Sequence, residues 1–287
     1  MTAVAIFNPA SGSSSGESKL VEVFGDNDVT LVPTTEEDPG IGQAAAAVRD
    51  GAATVIACGG DGTVRAVVQS VAGTDAVLGI IPEGTGNLLA SNLSLRSDRD
   101  AADDALHGAT RSLDVGVAND ERFAVMAGVG FDATMIRDTN PKLKKRVGAL
   151  AYVGSAIKNL PGTLVSATVS VDGKQVWTGR TTMVLVGNCG TVSGGIEVFP
   201  DARPDDGQLD IAILQASTLR EWIVVGWKMI RRKQQDSHLL RRFTGATVEV
   251  TLSRPTAWEL DGDPRRPTTA LTFAIEPGVL KVRVPRN

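Results

Sequence analysis

Only two cysteines, Cys58 and Cys189, occur in the 287 residues, far apart and in apolar stretches. There is accordingly no Cys-x-x-Cys pair and no disulfide framework, and a reducing compartment is the simplest setting. The two histidines, His107 and His238, are equally distant and lack acidic or cysteine partners at ligand spacing, which excludes a histidine-based metal site. No run of about 18 apolar residues is present, so no segment is expected to span a bilayer. The start, Met1 to Asn8, lacks a basic leader and its apolar stretch is too short for a signal peptide. A cytoplasmic protein is expected, one that at most visits the inner face of a membrane. An excess of basic residues is also missing. The 29 lysines and arginines stand against 33 aspartates and glutamates, a net charge of −4 that excludes a broadly basic nucleic-acid binder.

That net value conceals an asymmetry. Residues 1 to 138 hold 8 basic and 20 acidic side chains, 8 − 20 = −12, whereas residues 139 to 287 hold 21 and 13, 21 − 13 = +8. With 42% hydrophobic and 22% charged residues the chain can bury a core, and its length suits two domains.

The first third alternates short β-branched runs with helix-like stretches: Val4 to Phe7, Lys19 to Phe24, Val29 to Val32, Gln43 to Arg49, Thr54 to Ala57, Val64 to Val71 and Val77 to Ile81. This spacing predicts an α/β domain with a parallel sheet, over residues 1–112. Beyond it, short apolar runs recur with turn signals such as Asp172-Gly173, and runs at Thr247 to Leu252, Ala257 to Leu260 and Leu271 to Ile275 read as separate strands. Residues 113–275 are expected to form a mainly antiparallel β-sandwich with helices near 141–160 and 219–232. Residues 276–287 are expected to return to the first domain.

Glycine and small polar residues collect where strands of the first domain meet helices, the edge at which open α/β sheets bind ligands. Gly59-Gly60-Asp61-Gly62-Thr63 follows a buried strand and opens a helix. Consecutive glycines let main-chain N–H groups converge on a phosphate, the helix N-terminus favours negative charge, and Asp61 adds a carboxylate that could meet a metal or a hydroxyl proton. A sharp turn with an aspartate at the helix start would use the same residues. Pro82-Glu83-Gly84-Thr85-Gly86-Asn87 repeats the strand-to-helix pattern, and Asn8-Pro9-x-x-Gly12 lies on the same edge. Three such loops would enclose a polyphosphate.

These motifs resemble those of the diacylglycerol-kinase catalytic-domain family, which includes bacterial lipid kinases and sphingosine kinases. Pro204-Asp205-Asp206-Gly207-x-Leu209-Asp210 and Leu260-Asp261-Gly262-Asp263 extend the resemblance over nearly the whole chain. It implies a first domain similar to NAD kinases and phosphofructokinases, and ATP-dependent phosphoryl transfer to a lipid hydroxyl. Nucleotide would be held by Asn8, Pro9, Ser11, Gly12, Ser13, Gly59, Gly60, Asp61, Gly62, Thr63, Gly84, Thr85, Gly86 and Asn87. Asp61 would sit at the phosphates or Mg²⁺. The base is Asp261 by similarity to bacterial diacylglycerol kinases and Asp61 by similarity to sphingosine kinases. Asp263 stands where that family has glutamate. Without the resemblance, Asp261-Gly262-Asp263-Pro264 reads as a hairpin turn.

A relative's structural Mg²⁺ site implies that Asp206, with the backbone carbonyls of Arg203 and Gln208, holds a metal, a plausible oxygen donor set for a hard cation. Two basic segments, Pro141 to Arg146 and the stretch from Trp222 through Arg231-Arg232-Lys233, suit either an anionic membrane interface or core-facing helices with charged ends. The leading expectation is a diacylglycerol kinase using ATP and Mg²⁺ on a membrane lipid. A sphingoid-base or phosphatidylglycerol kinase, a soluble metabolite kinase of NAD-kinase type and a non-catalytic nucleotide- or lipid-binding module are the alternatives. A homodimer is one open arrangement.

Overall fold

The computed structural model describes residues 2–9, 17–96, 100–130, 164–192, 196–230, 237 and 239–286. Two compact units divide the chain, one of Met1–Val115, Glu121–Ala124 and Glu276–Asn287, the other of Gly116–Asp120 and Val125–Ile275.

In the first unit, β1 (Ala3–Phe7), β2 (Val29–Pro33), β3 (Thr54–Gly59) and β4 (Val77–Pro82) form a parallel sheet in the order β4-β3-β1-β2. The register aligns Phe7 with Cys58 and Cys58 with Ile81, which brings three strand ends level. Every residue of β3 is buried. A parallel strand covered on both faces needs an unbroken apolar run, and Thr54-Val55-Ile56-Ala57-Cys58 is nearly that. On one face, α1 (Glu17–Phe24) and α5 (Ala101–His107) supply Leu20, Phe24, Ala102, Ala105 and Leu106 to a cluster with Phe7, Ile56 and Cys58. Helices α2 (Ile41–Arg49) and α3 (Asp61–Val71) pack together, and α4 (Leu88–Asn92) follows the loop after β4. Gly79 of β4 is where α5 comes closest, since a Cβ there would lie 2.7 Å from the Ala105 carbonyl oxygen. The last stretch of the chain joins β4 in parallel at Val282, opposite Leu78.

The second unit is antiparallel. After β5 (Ala109–Ala118) and β6 (Glu121–Phe123) in the chain, it contains β7 (Met126–Val129), β8 (Val165–Val171), β9 (Lys174–Thr181), β10 (Met183–Gly187), the short β11 (Thr191–Val192) and β12 (Ile196–Glu197), β13 (Leu209–Leu214), β14 (Leu240–Gly245), β15 (Thr247–Leu260) and the start of β16 (Asp263–Val284). Asp172 and Gly173 join β8 to β9 with φ of 49° and 74°, the two positive values a tight hairpin turn requires. Strand β15 serves two partners: Val248 to Leu252 pair with β8, whereas Trp258 to Leu260 pair with β7. A strand that changes partner in this way turns the corner of a sandwich. The two runs expected at Thr247 to Leu252 and Ala257 to Leu260 are therefore one strand. Pro255 interrupts the apolar pattern between them but falls where the register shifts, a place that tolerates a residue with no N–H. The expected helix near 141–160 lies outside the described residues, and the one near 219–232 is observed as α6 (Leu219–Ile230).

Candidate active site

In the first unit, the loops leaving β1, β3 and β4 are joined by main-chain hydrogen bonds that continue the sheet. Asn8 N–H donates to the Cys58 carbonyl at 3.4 Å, and Glu83 N–H donates to the Gly59 carbonyl at 3.0 Å. Gly60 is the extended residue before α3, and having no side chain it caps nothing; Asp61 occupies the first turn. The N–H groups opening such a helix lack intrahelical acceptors and form a natural anion site.

The two glycine loops meet backbone to backbone. A Cβ on Gly84 would lie 2.6 Å from the Gly60 Cα and 2.9 Å from the Asn87 Oδ1. A Cβ on Gly60 would lie 3.3 Å from the Gly84 Cα. Three polar contacts hold this approach. Leu88 N–H donates to the Asp61 Oδ1 at 2.5 Å, Gly84 N–H donates to the Asn87 Oδ1 at 2.9 Å, and the Asn87 side-chain amide returns a bond to the Gly84 carbonyl at 2.8 Å. Asn87 does this from the left-handed region, with φ of 46°, which asparagine tolerates better than most residues. Asp61 thus joins the α3 loop to the start of α4 as well as placing a carboxylate there. Thr63 is buried against Gly59, and Thr85 is exposed. Glu83 lies 3.8 Å from the Lys19 ammonium. Burial, with Glu83 adding to it, pushes the Cys58 thiol up, so Cys58 is a core residue and no nucleophile. Ser11, Gly12 and Ser13 lie outside the described residues.

In the second unit, Asp261 and Gly262 turn β15 into β16 with φ of 47° and 88°. The turn is a hairpin, and it also positions a carboxylate. Asp261 is 6% exposed, and its Oδ1 accepts from Val125 N–H at 3.0 Å and Met126 N–H at 2.9 Å. Its own N–H donates to the Met126 carbonyl at 2.8 Å.

Glu259, two residues earlier, is paired across the ladder with Gly128. A Cβ on Gly128 would press on the Leu185 Cδ2 at 3.0 Å and lie in ordinary contact, 3.4 Å, with the Glu259 Oε1. The Glu259 Oε2 is buried without a hydrogen-bond partner. Burial first, then the charges of Asp261 and Asp263, pushes Glu259 up to about 7. Sequence reading missed Glu259; its two-residue spacing from Asp261 in a strand was the available signal.

At the other acidic turn, Asp206 Oδ1 accepts from Gln208 N–H at 3.0 Å, and Gly207 has φ of 72°. Burial and the charges of Asp206 and Asp201 push Asp210 up to about 6, against the opposing effect of Arg242. Among the described residues no three histidine, cysteine, aspartate or glutamate side chains converge as a metal cluster.

Residues 2–118 match the family described as "Diacylglycerol kinase catalytic domain", and residues 124–284 match "YegS C-terminal NAD kinase beta sandwich-like domain". The "Diacylglycerol kinase" of Bacillus subtilis is 32% identical over 270 residues, covering 90% of this chain and 88% of the relative. The chain belongs to the diacylglycerol kinase catalytic-domain family. It is a lipid kinase by that membership. The Pseudomonas fluorescens protein named "Probable lipid kinase YegS-like" is also 32% identical, over 249 residues, 84% of this chain and 80% of that one. Among solved structures, a diacylglycerol kinase from Bacillus anthracis is similar with a TM-score of 0.76 at 18% identity, covering 99% of this chain and 96% of that one. An NAD kinase from Archaeoglobus fulgidus is similar with a TM-score of 0.55 at 11% identity, covering 99% and 93%. At these identities the structures establish the fold: an α/β domain with a parallel sheet and an antiparallel β-sandwich domain.

Two predictions follow from the lipid kinase's loop and strand geometry. Gly84→Ala forces the backbones of its two glycine loops apart and should cost about 1–3 kcal/mol in urea unfolding; an unchanged midpoint would show that the loops yield freely. For Glu259, the folded chain keeps its proton to about pH 7, whereas an ordinary glutamate ionises near 4.5. Its relative stabilisation is complete below the lower value and is lost as pH rises through the higher one. Glu259→Gln should therefore gain on the order of 1–3 kcal/mol over the parent chain between about pH 4.5 and pH 8. Parallel stability curves for the two proteins would contradict this.

Proposed function

We propose that this lipid kinase transfers the γ-phosphoryl group of ATP to the hydroxyl of a membrane lipid, diacylglycerol or a close relative, at the inner face of the membrane. The observation that carries the reading is the approach of Gly60 and Gly84. It keeps side chains out of the end of the parallel sheet beside the opening N–H groups of α3, which lack intrahelical acceptors and suit phosphate oxygens. Asn8, Pro9, Gly59, Gly60, Gly62, Thr63, Gly84, Thr85, Gly86 and Asn87 hold the nucleotide, together with Ser11, Gly12 and Ser13. Asp61 stands at the phosphates or Mg²⁺.

Phosphoryl transfer depends on positioning and charge neutralisation more than on covalent help from the protein. Mg²⁺, when bound, offsets the charge on the phosphate oxygens. Asp261 receives the proton of the acceptor hydroxyl as that oxygen bonds to the γ-phosphorus, while the bond from phosphorus to the bridging oxygen breaks and ADP leaves. The two main-chain donors on Oδ1 support this assignment, because they hold the carboxylate in one orientation. Asp263 is near enough for its charge to act on Glu259 and belongs to the same acidic group. The oxygen donors of the other turn fit a structural Mg²⁺ on Asp206 and the carbonyls of Arg203 and Gln208.

Asp261→Asn should lower kcat by roughly 10²- to 10⁴-fold with ATP affinity retained. Asp61→Asn should lose ATP affinity as well as turnover. Calorimetric ATP titration and labelled-phosphate assays separate these effects, with circular dichroism reporting the fold. Parental turnover in either variant would remove that carboxylate from the reaction.

A further inference from the structure

Helix α6 is largely apolar in sequence, Leu-Arg-Glu-Trp-Ile-Val-Val-Gly-Trp-Lys-Met-Ile, with Arg220, Glu221 and Lys228 on one arc, and a core-facing helix of this kind would turn its large residues inward. The structure does the reverse on one stripe. Val225 is 4% exposed, whereas Ile223, Val224 and Trp227 are 51%, 40% and 55% exposed. With Arg220, also exposed, these positions follow the i, i+3, i+4, i+7 spacing of a single helical face. The other large apolar side chains exposed among the described residues, Val21 and Ile41, sit singly on separate helices. The α6 stripe is thus a built surface and not scattered exposure.

The charges around the stripe identify its occupant. Glu221 is the only acid of the helix, and its carboxylate is committed to the N-terminus. Its Oε2 accepts from Ser217 N–H at 2.8 Å and Thr218 N–H at 2.9 Å, while Glu221 N–H donates to the Thr218 hydroxyl at 3.3 Å. This reciprocal cap fixes where the helix begins and takes the negative charge off the stripe. Arg220 precedes the apolar residues, and Arg231-Arg232-Lys233 follow the helix in sequence. An apolar stripe with Arg220 on the same face and a basic run following in sequence suits an anionic lipid surface, and Arg220 would meet like charge in a two-fold contact with its own copy. Twelve residues are too few to cross a bilayer, so such a helix lies in the interface.

We propose that the Ile223, Val224 and Trp227 face of α6 docks this enzyme on anionic membranes. The inference rests on the membrane-lipid reading and names the surface that reading needs. The test compares the parent chain with the Ile223→Ser, Val224→Ser, Trp227→Ser triple variant. Flotation uses phosphatidylcholine vesicles with and without phosphatidylglycerol. An Ile223→Cys chain carrying an environment-sensitive dye reports insertion, the native Cys58 and Cys189 being buried. Short-chain diacylglycerol free in solution reads the chemistry apart from docking. The parent chain should float with the anionic vesicles and brighten the dye. The triple variant should float at least about ten-fold less and lose activity on vesicle-borne lipid in proportion, with the soluble acceptor still phosphorylated. Equal flotation of the two proteins, or equal binding to vesicles without anionic lipid, would overturn the proposal. So would a parent dimer that buries the dye without vesicles and becomes monomeric in the triple variant. Flotation without phosphorylation of any lipid would uphold the surface and count against the catalytic reading alone.

Discussion

The contact between the backbones of Gly60 and Gly84 is the constraint on which the N-terminal unit's chemistry depends. Two loops leaving adjacent parallel strands come closer than a Cβ on Gly84 would allow. The contact therefore dictates glycine at position 84, leaves little room for a side chain at position 60, and keeps side chains away from the opening of α3. The level register of β1, β3 and β4 makes the approach possible, and the unbroken apolar run of β3 makes the register rigid. Asp61 and Asn87 complete it, each tying a loop to the residue that opens or precedes α4.

The second unit solves a different problem, that of holding a carboxylate still at the end of a hairpin. A turn with two positive φ values favours Asp-Gly on conformational grounds alone. The same turn aims the aspartate at two N–H groups of β7's leading edge, so the structural and chemical readings of Asp261-Gly262 coincide in one residue. Glu259 adds a buried carboxyl, opposite Gly128 in the ladder and near enough to Asp261 and Asp263 for their charges to act on it. A buried carboxyl whose proton affinity is raised beside other carboxylates is a common arrangement where protons must move.

Much of this architecture was legible in the sequence, for identifiable reasons. Strands β1 to β4 and their helices are short, periodic and punctuated by glycine, so local pattern and tertiary structure agree. The Asp172-Gly173 hairpin was equally legible, because its turn chemistry is local. What escaped depends on long-range pairing. Strand β15 looked like two strands because Pro255 breaks the apolar alternation, and only the partner change from β8 to β7 shows why the break is tolerated. Glu259 gave no local sign of burial, since the strand it pairs with, at Gly128, is far away in sequence. The outward face of α6 was undetermined for another reason: its apolar residues spread well beyond the arc opposite Arg220, Glu221 and Lys228, so the pattern alone does not say which of them are covered.

Phosphoryl transfer to a lipid is the central claim, and its most direct test is the fate of labelled γ-phosphate supplied as ATP with Mg²⁺. The acceptors would be diacylglycerol, phosphatidylglycerol, a sphingoid base and a set of soluble hydroxyl compounds including NAD. Label in a lipid, with diacylglycerol or a near relative preferred, is the predicted result. Label only in a soluble acceptor, or none in any acceptor, would contradict it.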